Sequence, residues 1–420
     1  MENKRREFVK TLGFILSSSM IYKNTAALAD TFEQHRRNDN SEDFWTWVQQ
    51  SYTVNPNIIN LNNGGVSPQP KIVQDAMFKY TQICNQGPAY YMWRIVDKGR
   101  EPLRGKLARL AGCSPDEIAI NRNTTESLDT VIFGLQLKKG DEVVLSKYDY
   151  PHVIDAWKMR VFRDGIKIKW VNFPIPAEDD NTIVQAYESQ FTSRTRIINI
   201  THMINWNGQI LPAKKIAREA HKRGIEVMVD GAHTFAHIDF NIPDLECDYF
   251  GTSLHKWLCA PFGTGMLYIK KDKIKNLLPF YPNSEPESEN IRKFEHLGTR
   301  SFPSEQAIGE AINFHNAIGS ERKEKRLRNL KNYWIDAVKD IDRISFFTSH
   351  KPEYSCSLFN FAIDGIDANE ISSKLFSKYK LYTVGIKLGK INGVRVTPNI
   401  YTTYDDLDRL INAIREIAKG

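Results

Sequence analysis

Cysteine is scarce in this chain. Its 420 residues hold five, Cys84, Cys113, Cys247, Cys259 and Cys356. The number is odd and no two form a CxxC pair, which excludes a disulfide scaffold. Beyond the N-terminal 29 residues, no segment approaches 18 uninterrupted apolar residues, so no membrane span is expected. A Gly-x-Gly-x-x-Gly turn after a first strand is missing too. Gly263-Thr264-Gly265 lacks the third glycine and precedes a strand, which sets a nicotinamide enzyme aside. Nor does one charge sign dominate: 57 Lys and Arg against 50 Asp and Glu leave +7. The densest basic cluster, residues 321–331 (ERKEKRLRNLK), mixes signs at helical spacing. It reads as a solvated helix face, and no nucleic-acid partner is expected. What is present, 41% hydrophobic and 25% charged residues, is globular composition at a length that suits two or three domains.

The first residues do not read as part of the fold. Arg5-Arg6 is followed by Phe8, Val9 and Lys10, then by an apolar stretch over residues 11–22 and by Ala27-Leu28-Ala29. This resembles a twin-arginine export signal with a signal-peptidase site. Residues 1–29 are expected to direct the folded protein to the periplasm. Cytoplasmic retention of a reporter fused to residues 1–35 would contradict that. Residues 30–60 read as an N-terminal helical segment.

From about residue 60 to 270, short β-branched runs alternate with helical stretches, the pattern of a parallel sheet covered by helices. Residues 142–146 (EVVLS), 166–173 (IKIKWVNF), 196–203 (RIINITHM), 226–230 (EVMVD) and 265–269 (GMLYI) read as strands. Pro212 and Gly224 bracket a helix with Lys222 and Arg223 in its last turn. After Ser301 the texture changes: residues 304–340 read as helical, 356–363 as a strand and 404–418 as a closing helix. The expected fold class is α/β, with a large domain over residues 61–300 and a smaller α+β domain over residues 301–420.

In open α/β sheets, ligands bind outside the carboxyl ends of the strands. There EVMVD ends in Asp230-Gly231, IINITHMINWNG brings Asn205, EVVLSKYDYPH brings Tyr150, and Thr252-Ser253 runs into Leu254-His255-Lys256. An aldehyde cofactor uses each of these types. Pyridoxal phosphate needs a lysine amine for its Schiff base and a carboxylate at its ring nitrogen. It also needs an aromatic face, and hydroxyls with backbone N–H groups at a helix start for its phosphate. The stretch 121–128 (NRNTTESL) offers Thr124 and Thr125 at such a start. His233 and His237 lie four apart near Asp239, but without a HExxH glutamate, and no metal site is expected.

The order NTTES, ITHMINWNG, VDGAHTF, TSLHK resembles the class V aminotransferase family, a branch of the fold-type I pyridoxal phosphate enzymes, over about residues 61–395. LNNGGVSPQP near residue 61, TTES, Asp149-Tyr150 and DGAH are most similar to its isopenicillin N epimerase-like members. The resemblance implies that Lys256 forms the internal aldimine and shuttles the Cα proton. It also implies that Asp230 pairs with the pyridinium nitrogen and Tyr150 stacks on the ring. Asn205 and His233 would contact the phenolic side, and Thr124, Thr125, Ser253 and His255 would hold the phosphate. Thr299 would reach the phosphate of a neighbouring subunit, so a homodimer is implied. Arg395, in GVRVTPN, would grip the α-carboxylate of an amino-acid substrate, with Asn62, Asn63 and Arg94 near the substrate pocket. Desulfurases of this class carry a nucleophilic cysteine shortly before that arginine, whereas residues 381–393 (LYTVGIKLGKING) hold none. No clear second arginine serves a dicarboxylic substrate. The implied chemistry is epimerisation or elimination at Cα, with transamination or a cysteine-free desulfurase-like lyase as alternatives.

Overall fold

A computed structural model describes residues 42–420; the signal-like residues 1–29 lie outside them. The described residues fall in two units, parted between Gln50 and Ser51. In the first, helix Glu42–Gln50 carries the buried side chains Phe44, Trp45 and Val48.

The second unit is built on strands β1 (Ile59–Asn60), β2 (Ile118–Asn121), β3 (Glu142–Ser146), β4 (Lys167–Val171), β5 (Thr195–Thr201), β6 (Glu226–Asp230), β7 (Tyr249–Ser253), β8 (Gly265–Ile269), β9 (Ile344–Phe346), β10 (Phe359–Ile363), β11 (Leu381–Tyr382), β12 (Val384–Leu388) and β13 (Ile391–Val396). Seven of them form one sheet in the order β2-β8-β7-β6-β5-β3-β4. β8 runs antiparallel to both its neighbours, and the pairs from β7 through to β4 are parallel.

Alternation along each strand places residues on opposite faces. Val227 and Val229 enter one core with Ile198, Ile200 and Phe250, whereas Met228 enters the other with Val143, Leu145 and Ile197. All three β6 side chains are fully buried, each worth about 1.5–3 kcal/mol of transfer free energy. Both faces are therefore covered, which is why these strands read as continuous apolar runs.

The smaller sheet has the order β12-β13-β10-β9, with β1 pairing in parallel on β11 beside it. Its core joins Ile59 and Leu61 to residues of helices Ser320–Val338, Ala368–Tyr379 and Tyr404–Lys419. Helix Phe302–Ile318 instead contributes Ala307, Ile308, Ala311 and Ile312 to the large-sheet core.

Several sequence expectations shift here. The run over residues 304–340 is two helices, parted at Gly319 with φ +89°. The helix begun at Pro212 closes at His221, so Lys222 and Arg223 lie beyond it. The solvated face expected over residues 321–331 is half wrong, because Lys323, Arg326 and Lys331 are buried. Each has a local reason: Lys323 Nζ donates to the Trp257 carbonyl, Arg326 lies over the Tyr404 ring, and Lys331 Nζ donates to Ser355 Oγ. Long basic side chains bury their stems readily when the head finds an acceptor.

Candidate active site

The carboxyl ends of β3, β5, β6 and β7 open on one cavity of about 320 Å³. Its lining includes Gly64, Gly65, Asn123, Thr124, Thr125, Tyr150, Thr201, Asn205, Asp230, His233, Ser253, His255, Lys256 and Arg395. Ten of the residues expected from sequence are thus brought together.

Asp230 ends β6 in the sheet interior. Burial raises its pKa, opposed by the Ala232 N–H donated to Oδ1 at 2.9 Å and by the Lys256 charge. The following glycine is not there for a turn. A Cβ on Gly231 would lie 1.8 Å from Phe250 Cζ, so the close approach of β7 requires it.

Lys256 sits three residues past the end of β7, and its Nζ is 3.4 Å from His233 Nε2. Burial lowers its pKa to about 8, with Asp230 resisting and Arg395 assisting the fall. Burial, then Lys256 and Arg395, drive His233 well below the usual histidine range, so its ring is neutral. The lysine turn contains Cys259 at φ +59°, and the turn after β6 contains Ala236 at φ +58°. A left-handed non-glycine residue costs roughly 1–2 kcal/mol, which surrounding contacts must hold in place.

At the start of helix Thr124–Gly134, Asn123 caps the Glu126 N–H at 2.9 Å. Thr124 Oγ1 lies 2.7 Å from Ser253 Oγ, and His255 Nδ1 donates to the Thr264 carbonyl at 3.0 Å. Tyr150 opens helix Pro151–Asp164 and is 44% exposed.

Arg395 enters from the smaller sheet, on β13 opposite Asn360 and Val384. Its Nη1 donates to the Asn205 carbonyl and its Nη2 to Asn62 Oδ1, both at 2.8 Å. Burial lowers its pKa to about 10.

Four expected residues, Asn62, Asn63, Arg94 and Thr299, are not in the lining. Asn63 is fully buried, with Nδ2 on the carbonyls of Asn60 and Thr397 and Oδ1 accepting from Tyr401. Its amide holds backbone; the neighbouring Asn62 is the one that reaches Arg395. Thr299 is exposed and lines a separate surface cavity with Arg100, Arg122 and Phe262. Arg94 is exposed and outside the lining as well. Conversely, Thr201, Gly64 and Gly65 line the cavity unforeseen. The glycines stood in the quoted LNNGG motif, and Thr201 at the end of a recognised strand.

Among the described residues, Asn205 Oδ1, His233 Nδ1 and Arg395 Nε are buried without a protein partner. Polar atoms buried in a cleft call for a ligand or water to satisfy them. Pyridoxal phosphate fits this set. Lysine and arginine outnumber the one lining carboxylate, a helix start with two hydroxyls faces the same space, and an amine lies near that carboxylate.

The family model described as Aminotransferase class-V matches residues 59–410. This chain is a member of the class V aminotransferase family. Among curated relatives, an isopenicillin N epimerase of Streptomyces clavuligerus is 27% identical, over 88% of this chain and 97% of that protein. A probable cysteine desulfurase of Halalkalibacterium halodurans is also 27% identical, over 76% and 80%. The fold matches the cysteine desulfurase of Thermococcus onnurineus NA1 with a TM-score of 0.79 at 20% identity, covering 89% of this chain and 98% of that one. It matches a C-DES mutant bearing glycine covalently linked to its pyridoxal phosphate with a TM-score of 0.78, also at 20% identity, over 87% and 98%. The family is one of pyridoxal phosphate-dependent enzymes, and its α/β large sheet is the one found here.

Proposed function

We propose that the protein is a pyridoxal phosphate-dependent enzyme acting at the Cα of an amino acid, with epimerase-like chemistry. One observation carries this reading: Asp230, Lys256 and Arg395, from two sheets, line a single cavity. When bound, pyridoxal phosphate supplies a ring that takes up the electron pair left at Cα. The chain's own groups do the rest. Asp230 keeps a proton on the ring nitrogen. Lys256, whose amine is partly free near neutral pH, moves the Cα proton. Tyr150 covers the ring, and Thr124, Thr125, Ser253 and His255 bind the phosphate. Asn205 and His233 offer polar atoms at its phenolic side.

Arg395 binds the substrate carboxylate. Its guanidinium is already oriented by Asn205 and Asn62, so little ordering remains to be done on binding. Arg395→Lys loses the two-pronged contact. The Michaelis constant for the preferred amino acid should rise by the equivalent of about 1.5–3 kcal/mol, with a smaller change in turnover number. Steady-state kinetics with an unchanged Michaelis constant would contradict this role.

The desulfurase reading has less support. None of the five cysteines lines the cavity, and burial pushes the Cys356 thiol up to about 12. A persulfide carrier needs an accessible, low-pKa thiolate. The segment before Arg395 is the hairpin β12–β13, with Leu388 paired to Ile391. Among the described residues Arg395 is also the lining's sole arginine, which favours a substrate with one carboxylate near that end.

The exposed position of Thr299, away from this chain's own cavity, supports its reaching the phosphate of a second copy. Sedimentation should therefore give a homodimer. A monomer that retains full activity would contradict it.

A further inference from the structure

His237 lies four residues beyond His233 and is 1% exposed, yet it is outside the cavity lining. Both of its ring nitrogens are engaged. Nδ1 donates to the His233 carbonyl at 2.7 Å, and Nε2 accepts from the Ser357 N–H at 3.1 Å. A backbone N–H can only donate, so the ring is neutral with its proton on Nδ1. Burial, chiefly, and the Lys323 and Arg328 charges hold it neutral. These bonds also disqualify it as a metal ligand beside His233. Its face stacks on Trp257, the residue after Lys256, with centroids 3.5 Å apart and planes 16° from parallel.

One imidazole therefore touches three segments. The first is the turn bearing Asp230 and His233, and the second is the Lys256 turn. The third leads into β10, and there Ser357 Oγ donates to the Pro398 carbonyl at 2.5 Å, three residues past Arg395. The Lys256 turn is gripped from its other side by Lys323, whose Nζ donates to the Trp257 carbonyl. The left-handed Ala236 precedes His237, and the left-handed Cys259 follows Trp257 by two.

We propose that His237 is a positioning residue that sets the distance between the Lys256 amine and the Arg395 guanidinium. The inference rests on the reading of Arg395 as the carboxylate grip. An amino acid must engage both groups at once, so a small displacement of one sheet against the other weakens only ligands that carry a carboxylate.

The test uses two oxyamines on the holoenzyme, followed by loss of its visible absorbance. Each displaces Lys256 from the cofactor's carbonyl carbon and frees the lysine amine. Aminooxyacetate carries a carboxylate, and methoxyamine does not. Wild type should react at least about tenfold faster with aminooxyacetate, the worth of a charge-assisted hydrogen bond, and Arg395→Lys should abolish the preference. His237→Phe keeps a ring on Trp257 but removes both hydrogen bonds. It should retain bound cofactor and a methoxyamine rate within about threefold of wild type, yet lose the preference for the carboxylate reagent. General destabilisation would not change that ratio selectively. A His237→Phe protein with the wild-type preference overturns the positioning role. A wild type without any preference overturns the carboxylate reading and this inference with it. Should His237→Phe fail to fold, nitrogen NMR of histidine-labelled wild type still decides. The proton should stay on Nδ1 without titration from about pH 8 to 5, and an Nε2–H or a titrating ring overturns the proposal.

Discussion

Lys256→Ala is expected to lose borohydride-fixable attachment of pyridoxal phosphate and to slow turnover by roughly 10²–10⁴-fold, the worth of a positioned proton-transfer group. Loose cofactor binding should survive, because Thr124 and Thr125, at the start of a separate helix, still serve the phosphate. The pH dependence gives the sign independently. Burial lowers the Lys256 pKa to about 8, so the free amine falls about tenfold per unit below that pH and is complete above it. Covalent capture of the cofactor by apoprotein should therefore rise with pH up to about 8 and then level. A rise that continues to about pH 10, as for an ordinary lysine, would show the amine to be solvated, against the buried setting found here. Attachment at another lysine would overturn the assignment itself.

Asp230→Asn should keep the cofactor and most of the fold while slowing Cα proton removal by roughly 10²-fold or more. An amide accepts the Ala232 N–H as a carboxylate does, but it carries no charge to hold a proton on the ring nitrogen. The absorbance of the holoenzyme should shift as well, which separates this effect from a loss of stability. The neighbourhood makes the prediction sharp. Asp149 is buried nearby, accepting from Thr201 Oγ1 at 2.8 Å and the Ser146 N–H at 3.0 Å. Burial, partly opposed by these bonds and reinforced by Asp230, pushes it up to about 7. An unchanged turnover number in Asp230→Asn would remove it from the electron-withdrawing role.

The sequence was most legible where chemistry sits on strand ends. β6 and β8 run over the residues read from sequence, because short apolar runs bounded by turns leave little choice of register. β2 was not foreseen: the four residues IAIN are too short to show a period, and their pairing with β8 is a long-range contact. The same holds for β1, whose partner β11 lies over three hundred residues away along the chain. Site residues within one motif could be located but not ranked. Asn62 and Asn63 are adjacent and alike in type, yet one meets Arg395 and the other holds backbone, a difference set by which way each side chain leaves the turn. His237 could be read only as a metal candidate, since its partners His233 O, Trp257 and Ser357 are joined by folding alone. Lys323 looked solvated because its acceptor, the Trp257 carbonyl, belongs to a distant turn.

The central claim is that the bound cofactor and Lys256 together remove the Cα proton of an amino acid. Proton NMR of the holoenzyme with a panel of amino acids in deuterated water reads that step directly. At least one amino acid should lose its Cα proton signal with wild type, and the exchange should vanish with Lys256→Ala. Exchange that persists in the lysine variant, or a cofactor-loaded wild type that exchanges no amino acid in the panel, would contradict the account.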